Sequence, residues 1–404
     1  MDVFEGKAWI SGQGLIHTCV GVDEGKIKSV KKILKGDKHT KFDGIILPSA
    51  FDMHVHFRDP GYPHKEDWKS GSESAAAGGV TAVVDMPNTN PFTSNVETFN
   101  DKVSTASSKS VVDFGIGVNV EGGITEKSWF ETIPSAFWKL YPYGISSEEY
   151  FTYAKEVLEK TKKPLVIHGE HPDHMYNEPL TQLSDHTQNR LIAEPECLAS
   201  MPSSPYLHVA HLSTLEGLNR MPKLATSEVC PHHLLLNLEN CHSLDCKVDP
   251  PLRTKTDNSG LYDAFREGKI PILSSDHAPH TIEEKRSDNP PSGLPGVETM
   301  IPLMLNEVSE GRLELGRLVS AMSEAPADRL RLDRGKISEG QPADLIIVDM
   351  KNSKPIHLEK LHSKSNWTPF QDWQAIFPSQ VYRRGELIAE DGEIKQEGGG
   401  QNLF

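Results

Sequence analysis

The chain lacks the features that identify several large classes of protein. It has no run of about 18 apolar residues, so no membrane-spanning helix is expected. Residues 1–7 lack a charged start followed by an apolar core, so no signal peptide is expected either. The five cysteines are odd in number and none forms a Cys-x-x-Cys pair, which argues against a disulfide scaffold and a thiolate zinc site. A reducing, cytoplasmic location fits this cysteine usage best.

Positive charge is also scarce. The 42 lysine and arginine residues are outnumbered by 57 aspartate and glutamate residues, which leaves a formal net charge of -15. Nucleic acid is therefore not an expected partner, because its phosphates would be repelled. A small anionic substrate stays open, since one local arginine can outweigh a distant negative field. The hydrophobic fraction of 37% and the length of 404 residues are typical of a globular protein with one large and one smaller domain.

One stretch, residues 51–61, alternates strictly between apolar and polar side chains. In an extended strand its polar face would carry His54, His56 and Arg58, and the Pro-Gly pair that follows would end the strand. The two-residue spacing aims both imidazoles into one space, with the guanidinium just beyond. Two histidines at a strand end can form half of a metal site, although an isolated His-x-His is common by chance.

The middle of the chain alternates between strand-like and helix-like segments. The strand-like runs lie at 51–57, 80–86, 111–120, 135–141, 164–169, 205–212, 225–231 and 270–276. The clearest helical patterns lie at 148–160, 180–199, 259–267 and 297–310, whereas 121–134 is a poor helix. Eight strands that alternate with helices predict a closed parallel (β/α)8 TIM barrel, of the α/β class. Proline and glycine cluster at 289–296, which predicts a long loop over the barrel mouth.

The two ends of the chain have a different pattern. Residues 1–48 consist of short strand-like segments with tight turns, and similar segments recur near the C-terminal end. We expect residues 1–48 and 337–404 to form one small β-sandwich domain, with the barrel of residues 49–336 inserted between them. The glycine-rich tail at 397–400 is expected to be flexible.

Polar residues are concentrated where the predicted barrel strands end, which is where barrel enzymes place their active sites. The residues delivered there are His54, His56, Arg58, Asn88, Lys139, His168, His211 and Asp276. Any one of them alone is more often structural than functional. Their coincidence at one end of a barrel predicts a metal-binding cup.

Lys139 is the unusual member of this set. An ammonium group cannot ligate a metal, and most lysines on half-buried strands extend to solvent. A desolvated lysine near cations has a lowered pKa, however, and can react with carbon dioxide. The resulting carbamate has two carboxylate-like oxygens that can bridge two divalent ions.

Four segments together resemble the dihydroorotases of the amidohydrolase superfamily. These segments are His54–Gly61, Asp85–Pro91, Lys139–Tyr141 and Ser275–His280. The resemblance covers nearly the whole chain in order. The first segment combined with the last is highly specific for this family. It implies the reversible hydrolysis of dihydroorotate to N-carbamoyl-aspartate, a step of pyrimidine synthesis that runs as ring closure in the cell.

The resemblance also implies roles for individual residues. The implied ligands of two metal ions, usually Zn²⁺, are His54, His56, Lys139, His168, His211 and Asp276. His54, His56 and Asp276 would bind the more buried ion, and His168 and His211 the second. Carboxylated Lys139 and a hydroxide would bridge the ions, and Asp276 would act as the catalytic general base and acid. The implied substrate-binding residues are Arg58, Asn88 and His280, with the fork of Arg58 on the substrate carboxylate.

Other histidines near the strand ends have simpler expected roles. His208 is three residues from His211, so a strand places the two on opposite faces, and His208 is expected to pack. His232 and His233 follow the seventh strand and are expected to support the site or its loop rather than to bind metal directly.

Three acids are also ambiguous. Glu170 and Asp59 could orient metal ligands, although exposure is the default for an acid. Asp249 takes a position where members of the resembled family often carry Asn or Arg near the substrate. If its side chain faced an anionic substrate, affinity would suffer, and a backbone contact from this loop would avoid the problem.

Two other functions compete with the implied one. Dihydropyrimidinases, hydantoinases and allantoinases share the barrel, metals and lysine, but their ring substrates lack the carboxylate that Arg58 would bind. A metal-free structural homologue that partners aspartate transcarbamoylase is expected to lose ligands, whereas all six candidates are present here. The expected partners are the small-molecule substrate and product, while a homodimer and an association with aspartate transcarbamoylase stay open.

Overall fold

The computed structural model describes residues 1–120, 132–176 and 180–404. In chain order its strands are β1 Asp2–Ile10, β2 Gly14–Asp23, β3 Lys26–Lys31, β4 Lys38–Pro48, β5 Ala50–Val55, β6 Val80–Asp85, β7 Asp113–Asn119, β8 Phe137–Leu140, β9 Leu165–His168, β10 Leu207–Ala210, β11 Thr226–Val229, β12 Ile272–Leu273, β13 Leu345–Val348, β14 Lys354–Pro355, β15 Gln374–Ala375, β16 Gln380–Arg383, β17 Glu386–Glu390 and β18 Glu393–Ile394. The α-helices of the same ranges are α1 Trp68–Ala77, α2 Val96–Lys109, α3 Ser147–Lys160, α4 Leu183–Gln188, α5 Ala193–Ser200, α6 Leu215–Asn219, α7 Pro231–Leu235, α8 Lys255–Arg266, α9 Ile282–Lys285, α10 Val297–Ser309, α11 Leu315–Val319 and α12 Ala325–Arg329. Short 3-10 or π turns lie at Pro172–His174, Leu244–Cys246, Leu358–Lys360 and Ser320–Glu324.

The eight strands β5 to β12 form the predicted parallel barrel. Each pairs with its neighbour in sequence order, from β5 through to β12. A single parallel bridge between Val55 and His277, with the amide of His56 donating to the carbonyl of His277 at 2.8 Å, brings the last strand back to the first. The strands are buried along both faces, as expected for a parallel sheet that is covered by helices. The predicted fold class is confirmed.

The helical predictions are confirmed at three places and corrected at one. The segment predicted as a single helix over 180–199 is broken into α4 and α5. Pro195 has no N–H to continue the hydrogen-bond ladder, so a new helix begins at Ala193 with Pro195 in its first turn. The break turns Arg190 into the protein interior. Most of the poor helix expected at 121–134 lies outside the described residues.

The two chain ends share one eight-stranded sheet in the order β18-β17-β16-β13-β4-β1-β2-β3. Most of its pairs are antiparallel, and β13 joins the C-terminal strands to β4 from Leu345 opposite Pro48 to Val348 opposite Ile45. This arrangement confirms a β unit that both ends build, and the domain limits 1–48 and 337–404 stay a prediction. No helix in the described ranges is long and apolar enough to cross a membrane.

The glycine-rich tail is docked, contrary to its expected flexibility. Positive φ angles at Gly398 and Gly399 turn the chain towards the barrel. Beyond the turn, the amide of Phe114 donates to Gln401 and the amide of Leu403 donates back to Phe114, both at 2.9 Å. Leu403 and the terminal Phe404 then pack on the barrel interior at its N-terminal end.

The cysteines form no disulfide scaffold in the described residues. Cys241 and Cys246 are joined by one local disulfide with a sequence separation of 5. Cys19, Cys197 and Cys230 are free and buried.

Candidate active site

A cavity of approximately 310 Å³ opens at the C-terminal ends of the barrel strands. Eight of the predicted site residues line it, namely His54, His56, Arg58, Asn88, His168, His211, Asp276 and His280. Lys139 is fully buried on β8. The predicted loop at 289–296 contributes residues 291–293 to the cavity wall, as expected.

The first barrel strand ends earlier than the alternating pattern predicts. Pairing stops at Val55, and Arg58 has a left-handed backbone with φ 62°. The buried Asp85 carboxylate, paired with Lys102 at 2.5 Å, accepts the amide of Phe57 at 2.6 Å and so holds the chain where it leaves the strand. Arg58 therefore reaches the cavity through this turn rather than through strand alternation.

Left-handed backbone recurs at the ends of two further barrel strands. His211 has φ 37° and Asp276 has φ 46°, although neither is glycine. Such conformations cost free energy and are concentrated at functional sites. They aim these side chains into the cavity just after β10 and β12.

Two histidines and an aspartate converge at the first strand end. The Nδ1–H of His54 donates to Glu228, and Nδ1 of His56 lies 2.6 Å from the oxygen of Asn88. Nε2 of each ring lies 3.1 Å from Oδ1 of Asp276, so a proton on Nε2 joins that ring to the carboxylate. A divalent metal could take the place of such protons, because imidazole nitrogens and a carboxylate oxygen are ligands that zinc accepts.

The pKa values of these three residues show how strongly the two histidines and the aspartate interact. Burial alone would lower the pKa of His54, but the charges of Asp276 and Glu228 outweigh it and raise the pKa to about 9. Burial lowers the pKa of His56 to about 3. Burial would raise the pKa of Asp276, yet the charge of His54 and hydrogen bonds from both histidines hold it well below its usual range. Asp276 is therefore an anion at neutral pH.

A second group of ligands lies beside the first. The ring of His211 is 5.2 Å from that of His54 and 4.6 Å from that of His168, between ring centres. One candidate ligand atom each from His54, His211 and Asp276 falls within 4.8 Å of the other two. Nε2 of His168 contacts Glu170 at 2.7 Å, which leaves Nδ1 as its ligand atom. These positions fit two neighbouring ions.

The opposite side of the cavity is cationic. The Nζ of Lys65 donates to Nδ1 of His280 at 3.1 Å, so the proton of this ring sits on Nε2, which donates to the carbonyl of Ser292 at 3.1 Å. Arg58 donates to the Pro279 carbonyl through Nε at 3.2 Å, and its Nη2 lies 3.0 Å from the same His280 nitrogen. Because the Ser292 carbonyl accepts the His280 proton, the Nη groups of Arg58 are the donors on this side that fit an anion.

The Asp249 side chain is neutralised within the protein. It contacts Arg190 at 3.3 Å and His186 at 2.7 Å, and it accepts the hydroxyl of Tyr143 at 3.2 Å. The charge of Arg190 and the hydrogen bond from His186 hold the pKa of Asp249 low against the effect of burial. The expected conflict with an anionic substrate is therefore reduced by Arg190.

Three further histidines, His208, His232 and His233, are buried and do not line the cavity. His208 packs fully buried, with Nδ1 2.8 Å from the Thr226 hydroxyl and Nε2 3.3 Å from Glu228. His232 and His233 lie buried beside Cys230, close enough together to form a separate candidate metal cluster. His233 contacts the Pro250 carbonyl at 3.1 Å, and the supporting role expected for the pair stays a prediction.

One carboxylate that orients the site was missed from the sequence, and another was left open. Glu228 was not singled out, although an acid inside a buried barrel strand, here β11, is a signal that it faces a polar partner. Glu170, for which an orienting role and exposure were both open, is fully buried, because His168 and Arg190 both contact it at 2.7 Å. Asp59, for which the same two roles were open, is buried and contacts Lys109 at 2.6 Å.

Glu228→Gln is expected to weaken metal binding about 10- to 100-fold while the fold is retained, because His54 loses the charged partner that fixes its proton on Nδ1. The measurement is metal retention against increasing chelator concentration. Glu307→Gln is the matched control, since Glu307 is a buried acid that pairs with Arg312 away from the cavity. Equal retention in the two variants would contradict this role for Glu228.

Comparisons with known proteins place this site in a family. The model of the amidohydrolase family matches residues 45–388. A curated dihydroorotase from Methanosarcina acetivorans is 36% identical over 420 residues, covering 94% of this chain and 90% of the relative. A dihydroorotase from Halobacterium salinarum is 34% identical, covering 95% and 96% respectively. Among solved structures, an L-hydantoinase (dihydropyrimidinase) from Arthrobacter aurescens superposes with a TM-score of 0.91 at 24% identity, over 100% of this chain and 99% of that one, which shows the shared fold. The chain belongs to the amidohydrolase family, and the two relatives described above are dihydroorotases.

Proposed function

We propose that the chain catalyses the reversible hydrolysis of the cyclic amide of (S)-dihydroorotate to N-carbamoyl-L-aspartate, in de novo pyrimidine synthesis. The observation that carries this proposal is Arg58. The residue is only 8% exposed, lines the cavity beside the metal-ligand set, and has no carboxylate within ion-pair distance among the described residues. A buried guanidinium without a counter-ion favours the binding of an anion. Dihydroorotate carries a carboxylate on the ring that is opened.

The ligand set supports a binuclear zinc centre. His54, His56 and Asp276 would hold one ion and His168 and His211 the other, with carboxylated Lys139 between them. When bound, the ions would lower the pKa of the attacking water towards neutrality and polarise the ring carbonyl. Lys139 supports this assignment because it is fully buried on the strand between β7 and β9, and its charge acts on His211.

Asp276 is the proposed proton carrier. Because its pKa lies well below the usual range, it begins the hydrolysis as a base that accepts the proton of the attacking water. It then delivers that proton to the ring nitrogen as the C–N bond breaks. In the direction of ring closure, the same carboxyl performs these transfers in reverse order.

Three side chains would hold the substrate. Arg58 would bind the carboxylate through its Nη groups, and His280 would lie against the same group with its Nε2–H held by the Ser292 carbonyl. Asn88 uses its oxygen to orient His56, which leaves its amide N–H₂ for a ring carbonyl. Together they would fix the ring with its amide towards Asp276.

Three further predictions concern the partners and the location of the chain. A homodimer, an association with aspartate transcarbamoylase, and a cytoplasmic location each stay predictions. A metal-free scaffold is disfavoured because all six candidate ligands are present, and five of them line one cavity with Lys139 buried on β8.

A substrate panel tests the proposed function. One zinc-loaded sample is assayed with dihydroorotate, hydantoin, dihydrouracil and allantoin under identical conditions. We expect dihydroorotate to be preferred by at least about a hundredfold in kcat/KM, since a buried arginine would be left unpaired by rings that lack the carboxylate. A preference for a neutral ring would favour the hydantoinase-type alternative. Metal content far below one ion per chain, unrescued by zinc and bicarbonate, would favour the scaffold.

A further inference from the structure

Lys285, at the end of the short helix α9, is a buried lysine that takes no part in the proposed chemistry. Its side chain is 1% exposed. Nζ donates to three backbone carbonyls, those of Lys247 at 2.8 Å, Pro291 at 2.8 Å and Gly293 at 3.0 Å. An ammonium group has three protons, so this geometry uses all of them.

The burial of this ammonium group is costly. No carboxylate among the described residues pairs with Lys285, and burial lowers its pKa to about 7. An aliphatic side chain would fill the same space without the cost of desolvating a charge. The hydrogen bonds from the ammonium group to three backbone carbonyls offset this cost.

The three carbonyls belong to two loops that form one wall of the active-site cavity. Val248 and Asp249 line the cavity directly after Lys247, and residues 291–293 line it from the proline-rich loop. The loops are also joined to each other, because the amide of Gly293 donates to the Lys247 carbonyl at 3.0 Å and Lys247 Nζ donates to the carbonyl of Pro290 at 2.8 Å. Lys285 lies behind this wall and connects both loops.

The wall is coupled to the anion site. The Ser292 carbonyl lies between two carbonyls that Lys285 holds, and it accepts the Nε2 proton of His280. The same helix α9 begins two residues after His280, with Thr281 as its N-cap. A shift of the proline-rich loop would therefore move the hydrogen-bond partner of a residue that faces the substrate.

We propose that Lys285 is a positioning residue that clamps the 247–249 and 290–293 loops together, and thereby fixes the substrate-facing orientation of His280 and of the cavity wall. The expected change in KM rests on the proposed function, whereas the joining of the two loops does not. The clamp acts on substrate binding and not on the metal ligands, because none of the three carbonyls belongs to a ligand residue.

The test compares Lys285→Met with Lys163→Met. Lys163 is the matched control, since its Nζ also donates to two backbone carbonyls, those of Ile133 and Ser135, away from the cavity. For Lys285→Met we expect KM for dihydroorotate to rise about tenfold or more with kcat changed less than about threefold and metal content unchanged, because only substrate placement is lost. Amide exchange at 290–293, followed by mass spectrometry, is expected to become faster. Lys163→Met is expected to leave KM and this exchange unchanged.

Lys247→Met provides a second variant in case Lys285→Met does not fold. It removes only the link to Pro290 from a half-buried side chain, so a smaller KM increase in the same direction is expected. Unchanged KM and unchanged exchange at 290–293, or a parallel loss of kcat and metal, would overturn the clamp in either variant. If the wild-type protein does not turn over dihydroorotate, the proposed function fails, whereas the exchange comparison still decides whether Lys285 holds the loops.

Discussion

Lys139→Ala is expected to lose both metal and activity, with hydrolysis of dihydroorotate reduced by at least about a hundredfold, because a group that holds charge at the reacting centre is removed. Lys139 is fully buried on β8, and its charge contributes, after burial and the charge of His168, to the lowered pKa of His211. A cation at this position would repel metal ions, whereas its carbamate would bind them. Metal content per chain and the rate of hydrolysis are measured on the same samples.

A chemical rescue separates bridging from a general structural role. Truncation to alanine leaves a cavity in which a small carboxylic acid can supply the two oxygens of the lost carbamate, so propionate is expected to restore part of both metal binding and activity. Lys139→Met is the matched control, since it also lacks the amine but fills that space, and no rescue is expected. Full activity with normal metal content in Lys139→Ala would show that this lysine does not bridge.

Arg58→Gln is expected to reduce kcat/KM for dihydroorotate by about a hundredfold to a thousandfold, chiefly through KM, because one partner of a buried charge pair is removed. The same change is expected to leave slow turnover of dihydrouracil unaffected, since that ring offers no carboxylate. Steady-state kinetics with both substrates measure the difference.

The control for Arg58 is Arg286→Gln. Arg286 is a largely exposed arginine that pairs with Asp245 at 3.6 Å, and screening by solvent leaves such pairs with little effect. Near wild-type kinetics with dihydroorotate in Arg58→Gln would remove the main support for the proposed substrate. Equal losses with both rings would instead show a defect in the metal centre.

The barrel was predictable from the sequence because its determinants are local. Runs such as Val80–Asp85 are short, apolar and bounded by turn residues, and helices such as Ser147–Lys160 begin at a capping box, here Ser146 with Glu149. The predicted ends of the strands were less accurate. Strand pairing at Val55 and at Leu273 ends where the barrel closes, and that geometry depends on the neighbouring strand and not on local residue type.

Most of the candidate site was also predictable from the sequence, since the residues that line the cavity occur in motifs at successive strand ends. The residues that orient them were not. His54 and Glu228 are 174 positions apart, and Glu170 depends on Arg190, which faces inward only because the chain breaks between α4 and α5. No local pattern carries such pairings, because a buried carboxylate is stable wherever the fold supplies a donor.

By itself, the sequence determined the barrel class, the metal-ligand candidates at its strand ends, and the arginine that we propose selects an anionic ring. Only the tertiary structure decided that Glu228 and Glu170 orient the histidines, that Arg190 neutralises Asp249, that Lys285 joins two loops, and that the glycine-rich tail docks under the barrel. The physical reason is the range of the forces involved. Strand and turn preferences act between neighbours in sequence, whereas the desolvation of a charge is compensated by whichever group the folded chain brings within hydrogen-bond distance.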